Sequence, residues 1–569
     1  MVPSFRSSIF AVAAALLMGC QSQQAGMSAR EWDNFVSGFI ETYFEANPLF
    51  AVYQGRHEYD GRFPDWTDAG LEKWTRRLQQ LRDSAAAFSI DSADTTRGLE
   101  RDYVIAVTDR DLFWLDRADW PHRSPSWYAD QIDPNVYLAR PYAPLTKRMQ
   151  SYTSWAQALP AALTSMRTNL QTPMPRAYAD IGRGRIGGMV SYLEQDVPVA
   201  FDSVTDSVTR RNFASANAAA ILALKETDSW LAAEQKRGTD AYAIGPELFR
   251  DMVKSTEMVD LPLDSLEAKG RADLERNLAA LKSACAKFAP RVSIRQCVLR
   301  MNSNKPVGGA VAAARAQLDT LEHFVRSTDL VSVPGRERAL VEEAPPYQRF
   351  NFAYIDIPGP YEKNIPSIYY IAPPDPTWTP EEQRAYLPGA ADLLFTSVHE
   401  VWPGHFLNFL HSNRARSKFG QVFVGYAFAE GWAHYTEEMM LDAGLGKGNP
   451  EMQIGQLSNA LLRNVRYLSA IGLHTKGMTI GESERMFREQ GFQDAGNARQ
   501  QAARGTYDPA YLNYTMGKLM ILKLREDWIR ARGADTAWKQ FHDTFLSHGG
   551  PPIPLVRRAM LGNGSGPAL

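Results

Sequence analysis

A chain of 569 residues that is 44% hydrophobic and 11% aromatic can bury a sizeable core, and this composition excludes a disordered polypeptide. Its 62 Lys and Arg residues nearly balance 64 Asp and Glu residues, giving a net charge of −2. No segment is strongly basic, which excludes nucleic acid as a partner.

The first twenty residues, MVPSFRSSIFAVAAALLMGC, combine a positive n-region at Arg6, an apolar stretch from Ile9 to Met18, and Gly-Cys. That stretch is too short to span a bilayer as a mature helix, so residues 1–19 read as an export signal. LMGC resembles a bacterial lipobox, which implies cleavage before Cys20 and acylation of Cys20. The alternative is an ordinary secretory signal with an incidental Cys. Gln21 and Ser22 follow Cys20 with no Asp after it, which by analogy with bacterial lipoproteins favours a periplasm-facing anchor in the outer rather than the inner membrane.

Residues 20–569 read as a single large helical domain. Trp32, Phe35, Phe39 and Tyr43, three and four apart, predict a first helix, and ANPLFAVYQGRHEYDG breaks it. Helical periodicity then runs to about residue 326. In DSLEAKGRADLERNLAALKSACAKF, the face marked by Leu266, Leu274, Leu278, Leu281, Cys285 and Phe288 predicts core packing. Cys285 and Cys297 either close a disulfide in an oxidising periplasm or are buried small hydrophobes, and two Cys alone cannot hold a structural zinc. At about residue 330 the pattern changes. LVSVP, RFNFAYIDIP and SIYYIAPP predict strands of a small sheet within about 330–374, with SIYYI either an edge strand for a peptide substrate or an inner neighbour. After PPDPTWTPEEQ helical patterns return almost to the end. The expected fold class is therefore mainly α, with a small sheet just before the helices of about 385–444.

Those helices carry the chemistry. Residues 399–405 read HEVWPGH, close to the His-Glu-x-x-His of zincin peptidases but with Pro403 where the second His belongs and His405 two residues late. His399, His405, His411 and His434 fall in one stretch with Glu400, Glu430, Glu437 and Glu438. A catalytic zinc takes three protein ligands of imidazole and carboxylate type plus a water, and a nearby carboxylate accepts the water's proton. In a straight helix, at about 100° per residue, position 403 rather than 405 shares the face of His399. Pro403 cannot continue a regular helix, and Gly404 opens dihedrals closed to other residues. The pair is expected to insert a bulge or kink that swings His405 back beside His399. His411 and His434 are expected to be structural, with His434 alternatively orienting a ligand from behind. Glu437 and Glu438 form a solvated face or a hydrogen bond to a ligand His.

HEVWPGH followed by EGWAHYTEEM is similar to the His-Glu-x-x-Pro-Gly-His and Glu-Gly-Trp-x-x-Tyr pattern of the bacterial domain-of-unknown-function 885 family, grouped with the zincin-like metallopeptidases. ANPLFAVYQGRHEYDGRFPDW, LLRNVRYLSAIGLH and YLNYTMGKLMILKLRED resemble its flanking motifs in the right order. Ala470-Ile471 before Gly472, and Asn408, depart from the family pattern. The resemblance implies a zincin-like body with one Zn2+ held by His399, His405 and Glu430, and Glu400 as general base. It makes Tyr514 and His474 candidates for oxyanion stabilisation, and Arg463 and Arg466 candidates for binding a substrate carboxylate. The function expected is a zinc peptidase acting on short peptides. The rivals are a non-catalytic metal-binding envelope lipoprotein and a zinc amidase or esterase on a non-peptide substrate.

Overall fold

The computed structural model describes residues 30–90, 94–533 and 538–569. The export signal and Cys20 lie outside them. The molecule is mainly helical with one three-stranded sheet among the described residues. No helix among them is long and apolar enough to cross a membrane.

Two hydrophobic cores organise the chain. The N-terminal core is rich in aromatics. Helix α1 (30–46) contributes buried Trp32, Phe39 and Tyr43, and α2 (Leu145–Asn169), α3 (Arg176–Ala200) and α4 (Ser207–Arg237) pack as neighbours around Tyr152, Trp155 and Leu224. Asp206 starts α4 by accepting a hydrogen bond from the Thr209 N–H, a cap that satisfies a donor no intrahelical carbonyl can reach. The second core takes in residues from Phe113 onward and includes α5 (Leu263–Phe288), whose Leu266, Leu274, Leu281 and Cys285 are buried as the periodicity predicts. Cys285 and Cys297 are joined in a disulfide that ties α5 to the helix Ile294–Ser303.

Strands β1 (Ala339–Glu343), β2 (Ala353–Asp356) and β3 (Ser367–Ile371) stand in the order β1-β3-β2. β1 runs parallel to β3 (Ala339 opposite Ser367) and β2 antiparallel to it (Ala353 opposite Ile371). All five residues of β3 are buried. SIYYI is thus the centre of the sheet, and β1 and β2 are its two edges. LVSVP is not a strand, and β1 lies after it, in ALVEE. Its backbone is claimed by side chains instead: Leu330 O accepts from His542 Nδ1 at 2.7 Å, and Ser332 N–H donates to Asp543 at 2.8 Å.

Two of the places where the cores are tied together bear on the site. Phe419 and Phe423, from the C-terminal half, insert among the N-terminal aromatics, with Phe423 edge-on to Tyr43 at 4.9 Å. In the opening motif, His57 bridges Asp60 and Glu362 at 3.0 and 3.1 Å, and buried Arg140 pairs with Glu362 at 2.6 Å. This motif clamps the segment following β2.

Candidate metal centre

The site is built by helices α6 (Ala390–Glu400), α7 (His405–Ser412), α8 (Tyr426–Asp442), α9 (Pro450–Thr475), α10 (Ala495–Tyr507) and α11 (Asn513–Arg532). α6 does not run through the Pro-Gly pair. It ends at Glu400, Val401 leaves the helical basin (φ −122°, ψ −75°), the Trp402–Pro403 bond is cis, and α7 begins at His405. The break is complete, sharper than the expected bulge. Gly404 contributes space and, at φ −71° and ψ −130°, a dihedral pair outside the regions other residues favour. A Cβ there would collide with the His399 carbonyl oxygen, while its own N–H donates to Val398 O at 3.0 Å. The reversal folds α7 back on α6 and puts the two imidazoles 4.8 Å apart, nearly perpendicular.

Glu430 enters from α8. Its Oε2 lies 3.2 Å from His399 Nε2 and 3.1 Å from His405 Nε2, and one ligand atom from each of the three residues falls within 4.8 Å of the others. Two atoms each about 2.0–2.1 Å from one zinc at a tetrahedral angle are separated by roughly 3.3 Å, so the two separations from Glu430 match those of a zinc site and the donors have its chemistry. Behind it, fully buried Glu437 accepts from His399 Nδ1 at 2.8 Å and lies 3.3 Å from His434 Nδ1 and 3.2 Å from Arg463. With Nδ1–H given to Glu437, His399 turns the lone pair of Nε2 toward the ligand cluster.

The Glu-Gly-Trp triplet and the Tyr-x-x-Gly motif fit one another. A Cβ on Gly431 would stand 2.5 Å from the Gly517 Cα, and one on Gly517 would strike the Ala427 carbonyl, so α8 and α11 cross backbone to backbone. Trp432 Nε1 donates to Pro403 O at 2.8 Å, pinning the break between α6 and α7. The close crossing sets Tyr514 of α11 beside the centre, its ring stacked on His399 at 6.0 Å.

A family model described as a bacterial protein of unknown function, DUF885, matches residues 48–560. The chain belongs to the DUF885 family. Among solved structures, this DUF885 chain is similar to a candidate lipoprotein of unknown function from Shewanella oneidensis, at 25% identity and a TM-score of 0.74 over 93% of this chain and 99% of that one. It also shares its fold with a candidate lipoprotein from Colwellia psychrerythraea, at 16% identity and a TM-score of 0.77 over 94% and 98% of the two chains. No curated protein matches it.

In this DUF885 chain the centre opens on a cavity of about 1900 Å³ whose walls come from both cores, among them Tyr43, Trp74, His399, Glu400, Glu430 and Arg466. This exceeds the roughly 300–1,000 Å³ of a usual small-molecule site. Glu400 is 7% exposed and has no hydrogen-bond partner among the described residues. Burial raises its carboxyl, an effect the two imidazoles oppose and Glu430 reinforces. Burial pushes Glu430 the same way, but His405 and His399 outweigh it and hold that carboxylate well below its usual range. The Tyr514 hydroxyl, raised by burial and by Glu430 though Arg504 opposes, stays protonated and able to donate.

His474 is not at the site. It lies near the C-terminal end of α9, donates from Nε2 to Gly505 O at 2.7 Å and receives the Ile244 N–H at 3.4 Å, so both ring nitrogens are used by backbone. Eleven residues past Arg463, about three helical turns, it has left the cavity behind. Arg463 and Arg466 do line the cavity. His411 donates to Ser332 O at 2.8 Å and is structural. Glu438 pairs with Arg276 at 2.6 Å. Arg504 of α10, which no motif singled out, reaches Tyr514 Oη at 3.4 Å and Tyr426 Oη at 3.0 Å. An i,i+4 pair with Asp508 is its only sequence signal.

Proposed function

We propose that this chain is a zinc-dependent hydrolase of zincin type, acting on short peptides and held at the periplasmic face of the envelope through Cys20. The observation that carries the reading is the convergence of His399, His405 and Glu430, with Glu437 behind them and the unpartnered Glu400 beside them on the cavity. A purely structural or binding metal has no use for that last carboxylate. Zinc bound there supplies Lewis-acid chemistry, making a water more acidic and polarising a carbonyl. Glu400 takes the proton of the attacking water and returns it to the leaving amine as the C–N bond breaks, and Tyr514 donates to the developing oxyanion. The preference for peptides rests on β2, an edge strand whose Ala353, Tyr354 and Ile355 line the cavity, where an extended chain can add as a strand. Short substrates follow from a site sunk between two cores. The lipobox around Cys20 and the two candidate lipoproteins of like fold support the envelope location, and the absence of Asp after Cys20 favours the outer membrane.

The test is to purify the chain from residue 21, measure its metal by elemental analysis and profile cleavage of a peptide library beside Glu400→Gln. About one zinc per chain is expected, with the variant keeping its metal but losing roughly 10²- to 10⁴-fold in rate. A wild-type chain without zinc, its three ligands intact, sinks the proposal, as does equal cleavage by the variant. Cleavage of amide or ester compounds but of no peptide would move the substrate class.

A further inference from the structure

Three guanidinium groups surround Tyr514: Arg466 at 4.7 Å from its ring, Arg504 at 5.7 Å and Arg463 at 5.8 Å. They are not equivalent. Arg463 is spent on the scaffold, with Nη2 on Glu437, Nη1 on the carbonyl and side-chain oxygens of Asn459, and Nε buried without a partner. Arg504 is neutralised by Asp508 at 2.8 Å and hydrogen-bonded to two tyrosines. Arg466 differs from both. It is 4% exposed and lines the cavity, yet among the described residues it has no carboxylate partner, and its one hydrogen bond runs from Nε to Gln501 Oε1 at 2.7 Å.

A buried cation is normally paired, because its desolvation is costly. The neighbours make matters worse for Arg466: burial, Arg504 and Arg463 all disfavour its charged form. Its orientation is nevertheless fixed, since Gln501 holds Nε on one side and the Tyr514 ring lies against the guanidinium. With Nε engaged, the only fork left is the end-on pair of terminal nitrogens, the arrangement that matches the two oxygens of a carboxylate. Tyr514 in turn stacks on the ligand His399, so a single side chain separates the unpaired fork from the metal centre.

We infer that Arg466 is the anchor for the free terminal carboxylate of the substrate, which makes the enzyme a carboxypeptidase that releases the last residue of a short peptide. Arg463 and Arg504 are positioning residues that hold the metal-side Glu437 and the Tyr514 hydroxyl. In a peptide, the carbonyl of the last bond and the terminal carboxylate are separated by only a nitrogen and one Cα, so an anchor for one must stand close to the centre that acts on the other. Water adds to that carbonyl carbon, the C–N bond breaks, and the proton goes to the departing amine, so the products are a free amino acid and a peptide one residue shorter. This inference rests on the hydrolase reading above.

The experiment uses the zinc-loaded chain from residue 21 and two peptides that are identical except for a free acid or an amide at the C-terminus, with products identified by mass spectrometry. The wild type is expected to remove only the last residue of the acid and to favour it over the amide on the order of 100-fold in kcat/KM. In Arg466→Met that ratio collapses to within a few-fold of one, and Arg466→Lys, which keeps the charge but not the fork, recovers part of it. The comparison of acid with amide needs no variant, so a misfolded Arg466→Met does not spoil it. Equal cleavage of both peptides by the wild type, cuts at internal bonds, or a variant that retains the full preference would overturn the anchor while leaving the hydrolase reading intact. Cleavage of neither peptide, or cleavage indifferent to Glu400→Gln, removes both.

Discussion

Glu437 has one carboxylate and three claimants. Oε1 faces His399 and Arg463, and Oε2 faces His434. Burial would raise its pKa, but Arg463, His434 and His399 together hold it well below the carboxylate range, so it is an anion when His399 needs an acceptor. Replacing it by Gln keeps the shape and removes the charge. Glu437→Gln is expected to weaken zinc binding about 10- to 100-fold in a competition titration with a chelator, the usual effect of an altered outer partner. An unchanged affinity would show that the His399 tautomer is set elsewhere. The convergence of His399, His405 and Glu430 was expected from the likeness of HEVWPGH and EGWAHYTEEM to the family's motifs, since helical spacing alone favours position 403 over His405. The role of Glu437 was legible only as one of two options, since helical position does not say whether the neighbouring face is solvent or a ring nitrogen. The free state of Arg466 was beyond reach: it is a statement about which carboxylates are absent nearby.

Between elements, the decisive contact is the crossing of α8 and α11 at Gly431 and Gly517. Any side chain at either position must push two backbones apart, and Glu430 and Tyr514 travel with them. Gly431→Ala is expected to cost about 1–3 kcal/mol of stability, the usual range for overpacking, and to lower zinc affinity as well. A stable variant with normal metal binding would mean that the helices tolerate separation. This crossing was not legible, although both glycines sit in quoted motifs, because a glycine in a helix does not announce which backbone it meets. The break at 401–404 was legible, since Pro403 forbids continuation whatever surrounds it. The use of Gly404 was legible in its dihedrals, which other residues do not favour, but not in the room it leaves for His399 O. The small sheet was half legible. SIYYI reads as a strand from its β-branched and aromatic content, whereas LVSVP has the same look and fails because His542 and Asp543 take its backbone groups.

At the scale of the molecule, buried histidines set the response to acid. Burial pushes His474, His542 and His548 from the ordinary 6.5 down to about 4. Between those values the unfolded chain binds protons that the folded chain refuses, so the stability these groups provide is complete above pH 6.5 and is lost as pH falls toward 4. Urea unfolding at pH 7, 6 and 5 is expected to show stability dropping by up to about 1.4 kcal/mol per pH unit for each such histidine. A flat profile across that range would show that these rings are solvated in the native state. The same large-scale view bears on the cavity. Its walls belong to two different hydrophobic cores, which also meet through the inserted Phe419 and Phe423, the ion pairs around Glu362 and the packing of helix Thr95–Leu112 on helix Pro246–Glu257. A ligand that touches both walls acts as a cross-brace. Its binding free energy opposes parting of the two cores as much as its own escape, so an occupied molecule resists melting at that seam more than an empty one.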